Sequence, residues 1–325
     1  MQLNIVEDVF KFKQVFRIAH GARTEARVVK VTLSQDGFIG QGECVPYPRY
    51  GESPQSVMAQ IEAVRGQIEA GVSIDGAQSL LPHGAARNAL DCALWDLKAK
   101  QEGARVWELA GLPTPQPVLS AITIVIDELD KMVASALSYK DFPLLKIKIG
   151  SEGDIASVVE IAKVRNDASL IIDANEALDI NGLHRLLNAC DGLNIALIEQ
   201  PLKASDDEEL RNIKSPFVIC ADEAFHTSAD IERLASKYDA VNVKIDKTGG
   251  FTEGLKSIKM AKAAGLKTMM GCMVGTSLVT APAQILANMT EWVDLDGPLL
   301  LAEDREFPLE NNGAFLSPPD RKLWG

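Results

Sequence analysis

Two hydrophobic rhythms divide the chain. In the first third, apolar residues alternate with polar ones: residues 3–16 predict a strand ending in a loop, and residues 26–33 and 38–43 predict a hairpin around Ser34-Gln35-Asp36-Gly37. From Ser53, an N-cap candidate, Val57, Ile61, Val64 and Ile68 recur at helical spacing, and residues 84–101 predict a second helix with Ala85, Ala89, Leu90, Ala93, Leu94 and Leu97 on one face. Strands followed by helices make an α+β capping domain over residues 1–115. Beyond it, short apolar runs alternate with amphipathic helices, the signal of βαβ units and a parallel sheet. The predicted strands are 120–126, 144–149, 170–173, 196–199, 218–221, 240–245, 268–271 and 292–296, and the helices between them include 155–165, 206–213 and 252–264. Eight such runs predict an α/β fold with a closed (β/α)7β TIM-like barrel over residues 116–300. The tail, 301–325, lacks the rhythm and is expected to return to the capping domain.

Seven of these runs carry a polar or ionisable residue near their C-terminal end: Lys148, Asp173, Glu199, Asp222, Lys244, Cys272 and Asp296. A parallel barrel brings its strand C-termini to one face, so these side chains converge on one pocket. At 325 residues the chain exceeds the roughly 250 of a bare barrel, which leaves room for the cap. A net charge of -12 argues against nucleic acid as a partner, since phosphate backbones are gripped by clustered Lys and Arg. No basic leader and no apolar run of membrane-spanning length is present, so a soluble cytoplasmic protein with no membrane partner is expected. The five cysteines are scattered and odd in number, which argues against a disulfide framework.

Asp173, Glu199 and Asp222 close three successive strands. Carboxylates converging in one pocket repel each other unless a cation neutralises them, and a hard divalent ion, Mg²⁺ first, suits an all-oxygen set. The alternative is that each acid caps a helix or pairs with an arginine at the rim. Lys146 and Lys148, two apart on the preceding strand, point to the same side. A neighbouring cation and a bound metal both push a lysine towards the neutral amine that proton abstraction needs. Lys244 lies four strands further on, half-way round an eight-stranded barrel. Two bases opposed across a cation suit removal of a proton α to a carboxylate and its return from either side, with the enediolate stabilised by the metal and Lys146; racemisation or epimerisation is the expected chemistry. Asp294 and Asp296 end the eighth strand on one side and could hold an ammonium group, or form a solvated turn before Gly297-Pro298.

Lys146-x-Lys148, Asp173-Ala174-Asn175, Glu199-Gln200-Pro201, Ala221-Asp222-Glu223 and Asn242-Val243-Lys244, followed by Asp246-Lys247-Thr248-Gly249-Gly250, together resemble the muconate-lactonising subgroup of the enolase superfamily. Superfamily sites pair a lysine or histidine base with Mg²⁺. Asp294-x-Asp296 and Gly271-Cys272-Met273 are similar to the dipeptide epimerases within it. The resemblance spans nearly the whole chain, including residues 42–53 and 84–91. It implies epimerisation of L-Ala-D/L-Glu, a cytoplasmic reaction on peptides from murein recycling, with one Mg²⁺ per subunit held by Asp173, Glu199 and Asp222 and with Lys148 and Lys244 as the acid/base pair. It further implies that Lys146 and Thr123 contact the dipeptide, that Cys272 lines the substrate pocket, with a small core residue as the alternative, that Asp294 and Asp296 hold the dipeptide ammonium, and that two cap loops, in the 20s and 50s, close the pocket and read side chains. A distal Glu carboxylate calls for a guanidinium; Arg23 is the first choice, with Arg17, His20 and Arg49 behind it. His83, His184 and His226 are expected to be structural. A cycloisomerase or o-succinylbenzoate synthase would use the same metal and lysines on substrates without an ammonium, and a silent barrel that binds small carboxylates would use them for affinity alone. The sequence leaves a homo-oligomer open.

Overall fold

The computed structural model describes residues 1–18 and 21–325. The capping domain opens with strands β1 (Gln2–Ile18), β2 (Gly21–Gln35) and β3 (Phe38–Cys44), which form an antiparallel sheet in that order. Helices α1 (Pro54–Ala63), α2 (Arg65–Glu69), α3 (Ile74–Leu80), α4 (Ala85–Glu102) and α5 (Val106–Leu109) follow. Ser53 starts α1 as expected: its hydroxyl accepts the Ser56 N–H, the Ser56 hydroxyl accepts the Ser53 N–H, and Pro54 occupies the first turn. The helix does not continue through residue 68. It breaks at Val64 (φ -110, ψ 12) and restarts as α2, yet Val57, Ile61 and Ile68 all stay buried, because the break preserves the face they share. α4 lies hard against β3. A Cβ on Gly42 would stand 2.1 Å from the Ala89 carbonyl oxygen and 2.6 Å from the Ala93 nitrogen, so backbone meets backbone there.

A short strand β4 (Val118–Leu119) leads into the barrel. Its strands are β5 (Ile122–Ile124), β6 (Leu144–Lys148), β7 (Ser169–Asp173), β8 (Ile195–Glu199), β9 (Val218–Ala221), β10 (Ala240–Val243), β11 (Lys267–Gly271) and β12 (Trp292–Asp294), hydrogen-bonded in sequence order and in parallel. The ends meet where Ala121 N–H donates to the Val293 carbonyl at 2.8 Å and Leu295 N–H to the Ser120 hydroxyl at 2.9 Å. Outside lie α6 (Leu129–Ser138), α7 (Ile155–Val164), α8 (Ile180–Ala189), α9 (Ile231–Leu234), α10 (Ile245–Thr248), α11 (Phe251–Ala263) and α12 (Ser277–Ala287). The helix predicted over 206–213 is a 3-10 turn, Glu208–Asn212; only Leu210 within it is buried, too narrow an apolar face to anchor a full helix.

Strand pleating sorts the barrel interior into layers. Ala121, Leu144, Ile171, Leu197, Cys220, Ala240 and Met269 form a buried apolar plug. One step of two residues further on, β6 to β8 present Lys146, Asp173 and Glu199, followed by Asp222 just past the end of β9 and Asn242 on β10. Period-two alternation therefore places the polar layer directly above the apolar one. The C-terminal segment passes back over both domains: Ala302 N–H donates to the Lys11 carbonyl, Arg305 pairs with Glu43 and Asp8 at 2.6 Å each, β13 (Asn311–Asn312) and β14 (Phe315–Leu316) continue the sheet of β4, and Gly325 N–H donates to Asp96. Among the described residues no helix is long and apolar enough to cross a membrane.

Candidate active site

A cavity of about 680 Å³ opens at the C-terminal face of the barrel beneath the cap. Its walls include Thr123, Lys146, Lys148, Asp222, Lys244, Cys272, Asp294 and Asp296 from the barrel, and Arg23, Tyr47 and Tyr50 from the cap. Asp173 and Glu199 are fully buried and connect to the cavity wall through Lys146, which contacts both.

Lysines and acids interlock here. The Lys146 ammonium lies 2.9 Å from Asp173 Oδ2, 2.7 Å from Glu199 Oε2 and 2.7 Å from Asp294 Oδ2. Lys148 donates to Asp173 Oδ2 at 2.5 Å and to Asn175 Oδ1 at 3.2 Å. Across the barrel, Lys244 donates to Asp222 Oδ2 at 2.7 Å, and Lys247 to Asp222 Oδ1 at 2.5 Å. Lys148 ends β6 and Lys244 directly follows β10, four strands apart in a ring of eight, so they stand on opposite walls. Asn242 donates to Glu199 Oε1 at 2.6 Å, and Thr123 N–H to Asp296 Oδ2 at 2.7 Å.

The proton affinities follow from this packing. Burial works against ionising Asp173 and Asp222, but Lys146 and Lys148 outweigh it at the first, and Lys244 and Lys247 at the second, holding both carboxyls well below the usual range. Glu199 is pushed the other way, to about 7, by burial and by Asp173. Asp296 also rises to about 7, by burial and by Asp294 beside it. Burial alone would lower Lys146 and Lys244. The surrounding acids reverse that, with Asp173 and Asp294 leading at Lys146 and Asp222 and Glu199 at Lys244, and hold both ammoniums well above the ordinary lysine value. At Lys146 and Lys244 the carboxylates thus favour the ammonium while they face it directly; a neutral amine at Lys244 requires that the acids' charge be taken up by something else.

The donor set fits a hard divalent cation. Six buried carboxyls, of Asp173, Glu199, Asp222, Glu223, Asp294 and Asp296, outnumber the four buried ammoniums of Lys146, Lys148, Lys244 and Lys247, so ionising all six calls for further positive charge. Among the described residues Glu223 Oε2 and Asp294 Oδ1 are buried without a partner, and Glu199 Oε2 has its ion contact to Lys146 but no directed hydrogen bond. Among the described residues no three carboxylate, imidazole or thiol groups already stand as a formed metal shell, because lysine ammoniums occupy the space between the acids.

Several expectations change. Arg49 does not face the cavity as a free cation; its guanidinium pairs with Glu176 in the loop after β7. Arg17 is not among the cavity-lining residues, and His20 lies outside the described residues. Arg23 does line the cavity, its guanidinium 4.9 Å from the centre of the Tyr47 ring. The His83 and His226 rings lie 5.6 Å apart at a tilt of 57°, with the Tyr50 ring edge-on to His226, and His226 is driven down to about 4 by burial and Lys247. Sequence reasoning gave no role to Asn175, Glu223, Lys247 or Tyr47. Asn175 could have been found, since it stands two residues past Asp173 and donates to Glu223 Oε1 at 3.1 Å.

Amines opposed across a bed of carboxylates, in a capped parallel barrel, define an isomerase of the kind that moves a proton on and off one carbon. The chain belongs to the mandelate racemase / muconate lactonizing enzyme family of the enolase superfamily: residues 1–111 match that family's N-terminal domain and residues 125–321 the enolase C-terminal domain-like family. It is 44% identical to the L-Ala-D/L-Glu epimerase of Escherichia coli over 95% of this chain and 97% of the relative, and 40% identical to an N-acetyl-D-glutamate racemase from a Pseudoalteromonas species over 92% and 95%. A crystal structure of an Agrobacterium tumefaciens enolase family member with homology to dipeptide epimerases, with sodium and L-Ala-L-Glu bound, superposes with a TM-score of 0.97 at 44% identity, covering 99% of each chain. A dipeptide epimerase from Enterococcus faecalis, complexed with Mg and L-Leu-L-Tyr, gives 0.91 at 28% identity, covering 98% of this chain and 97% of that one.

Proposed function

We propose that this protein is a Mg²⁺-dependent dipeptide epimerase that inverts the α-carbon of the C-terminal residue of L-Ala-D/L-Glu. The observation that carries the reading is the placement of Lys148 and Lys244 on opposite walls, each bonded to a different carboxylate of the same bed. One lysine, as the neutral amine, takes the α-proton as the C–H bond breaks, and the electron pair passes into the adjoining carboxylate to give an enediolate. The opposite ammonium delivers its proton to the other face of that carbon. Protons balance, and the two lysines finish with their protonation states exchanged. Asp173, Glu199 and Asp222 would hold the metal, which supplies positive charge where the substrate carboxylate gains its second negative charge. Lys146, buried between Asp173, Glu199 and Asp294, adds a second cation at the same place.

Asp294 and Asp296 would take the dipeptide ammonium. Asp294 Oδ1, buried and without a partner among the described residues, supports this, since a cationic donor would satisfy it. Thr123 and Cys272 line the same wall, and Arg23 would meet the distal carboxylate of glutamate. The same observation ranks the rivals. An N-acetyl amino acid, or the substrate of a cycloisomerase or o-succinylbenzoate synthase, brings no ammonium to this pair of acids. A cytoplasmic setting and a role in recycling murein peptides follow from the dipeptide assignment.

Deuterium exchange tests the reading. In D₂O with Mg²⁺, L-Ala-L-Glu should lose its Glu α-proton signal and L-Ala-D-Glu should accumulate, while N-acetyl-glutamate exchanges far more slowly. Binding of the dipeptide without exchange would leave only a silent binding barrel.

A further inference from the structure

We infer that Tyr47 is a positioning residue for glutamate selectivity: its ring fixes where the Arg23 guanidinium stands at the cavity wall. The inference rests on the dipeptide epimerase reading. Tyr47 sits in Pro46-Tyr47-Pro48, where one proline lacks an N–H and the next restricts the backbone of the residue before it to extended conformations; Tyr47 is extended, at φ -120 and ψ 115. Its N–H donates to Glu52 Oε2 at 3.1 Å, and its carbonyl accepts from Tyr50 N–H at 2.9 Å. Glu52 is itself pinned, since its Oε1 accepts the Ala85 N–H at the start of α4. The ring packs on an apolar cluster that includes Ala26, Val28, Val45 and Met273, with the Tyr50 ring 5.6 Å away. Tyr47 is therefore held from both its backbone and its side chain.

Arg23 is held by little else. Among the described residues no carboxylate lies within ion-pair distance of it, whereas Arg27 on the same strand pairs with Glu7 at 2.6 Å. The lysines lining the cavity are all bonded to acids. Arg23 is exposed on β2, and its guanidinium carbon 4.9 Å above the Tyr47 ring is the contact that limits its wandering. A long side chain restrained in advance loses less conformational freedom when it closes on a carboxylate. Charge comes from one cap segment and its placement from another, so the preference for a distal carboxylate belongs to the pair.

The test compares Tyr47→Leu with Tyr47→Phe on L-Ala-L-Glu and on its neutral near-isostere L-Ala-L-Gln. Leu should raise KM for L-Ala-L-Glu about two- to fivefold, the range of a cation–π contact at an exposed site, with kcat unchanged. KM for L-Ala-L-Gln should stay put, and Phe, which keeps the ring face, should behave as the parent. In an Arg23→Ala background the Leu substitution should add nothing. Equal KM increases for both dipeptides, or a Phe variant as impaired as Leu, would overturn the inference. Equal KM values for the two dipeptides in the parent protein would overturn it while leaving the epimerase reading intact; no exchange with any dipeptide would remove both.

Discussion

Replacing Lys148 and Lys244 by alanine, one at a time, separates the two half-reactions. The structure limits the side effects. Without Lys148, Asp173 keeps Lys146 at 2.9 Å; without Lys244, Asp222 keeps Lys247 at 2.5 Å. Neither variant leaves a buried carboxylate without a cation, so the loss of stability should fall short of the 3–5 kcal/mol that an orphaned buried charge costs. Loss of a positioned general base costs about 10²- to 10⁴-fold in rate, or roughly 3–5 kcal/mol of barrier. That penalty should fall on one epimer in each variant. NMR in D₂O, run separately on L-Ala-L-Glu and L-Ala-D-Glu, reads the α-proton exchange of each. The expected pattern is reciprocal: one variant loses exchange from the L,L form, the other from the L,D form. If both lose exchange from the same epimer, or both keep full activity on both, two opposed bases are not at work.

Three further outcomes follow from particular contacts. Burial holds the Asp246 carboxyl up at about 7, where its Oδ1 accepts from Val45 N–H at 2.9 Å and Asn88 Nδ2 at 2.8 Å. Its unfolded value is about 3.9, so the folded state binds this proton more tightly, and the stability it adds is complete below about pH 4 and lost as pH rises through 7, on the order of 4 kcal/mol. Asp246→Asn keeps the accepting oxygen and should flatten that slope in urea midpoints between pH 4 and 8; an unchanged slope would assign the pH dependence elsewhere. Chelation of divalent ions should abolish exchange and added Mg²⁺ restore it, and Asp222→Asn should weaken Mg²⁺ binding by calorimetry, a readout independent of turnover; undiminished binding would remove Asp222 from the metal's ligands. Gly42→Ala drives a methyl group into the backbone of α4 and should destabilise by more than about 4 kcal/mol, read as loss of soluble protein or a lowered denaturant midpoint; near-parent stability would mean α4 can shift from β3 at little cost.

Legibility in the sequence tracked the range of the interaction. Ser53 could be read as an N-cap because a cap is made within one turn, and its partner Ser56 is three residues away. The strand-end acids and lysines could be read because each interrupts an apolar run of its own strand. Lys247 could not: its local setting resembles an ordinary helix lysine, and only closure of the barrel brings it under Asp222, 25 residues earlier. Arg49 looked like a free cation because Glu176, its partner, lies 127 residues on in another domain.

Taken alone, the sequence determined the parallel barrel with its cap, and which residue types stand at the strand ends. Both depend on hydrophobic period and on the apolar run of each strand, which are local properties. Tertiary structure alone decided which charge faces which: that Lys146 is shared by three acids, that Asp222 holds two lysines, and that Arg23 rests on the Tyr47 ring. Coulomb attraction and desolvation depend on separations of a few ångströms and on exclusion of water, and those are fixed only when eight strands close and the cap comes down on them.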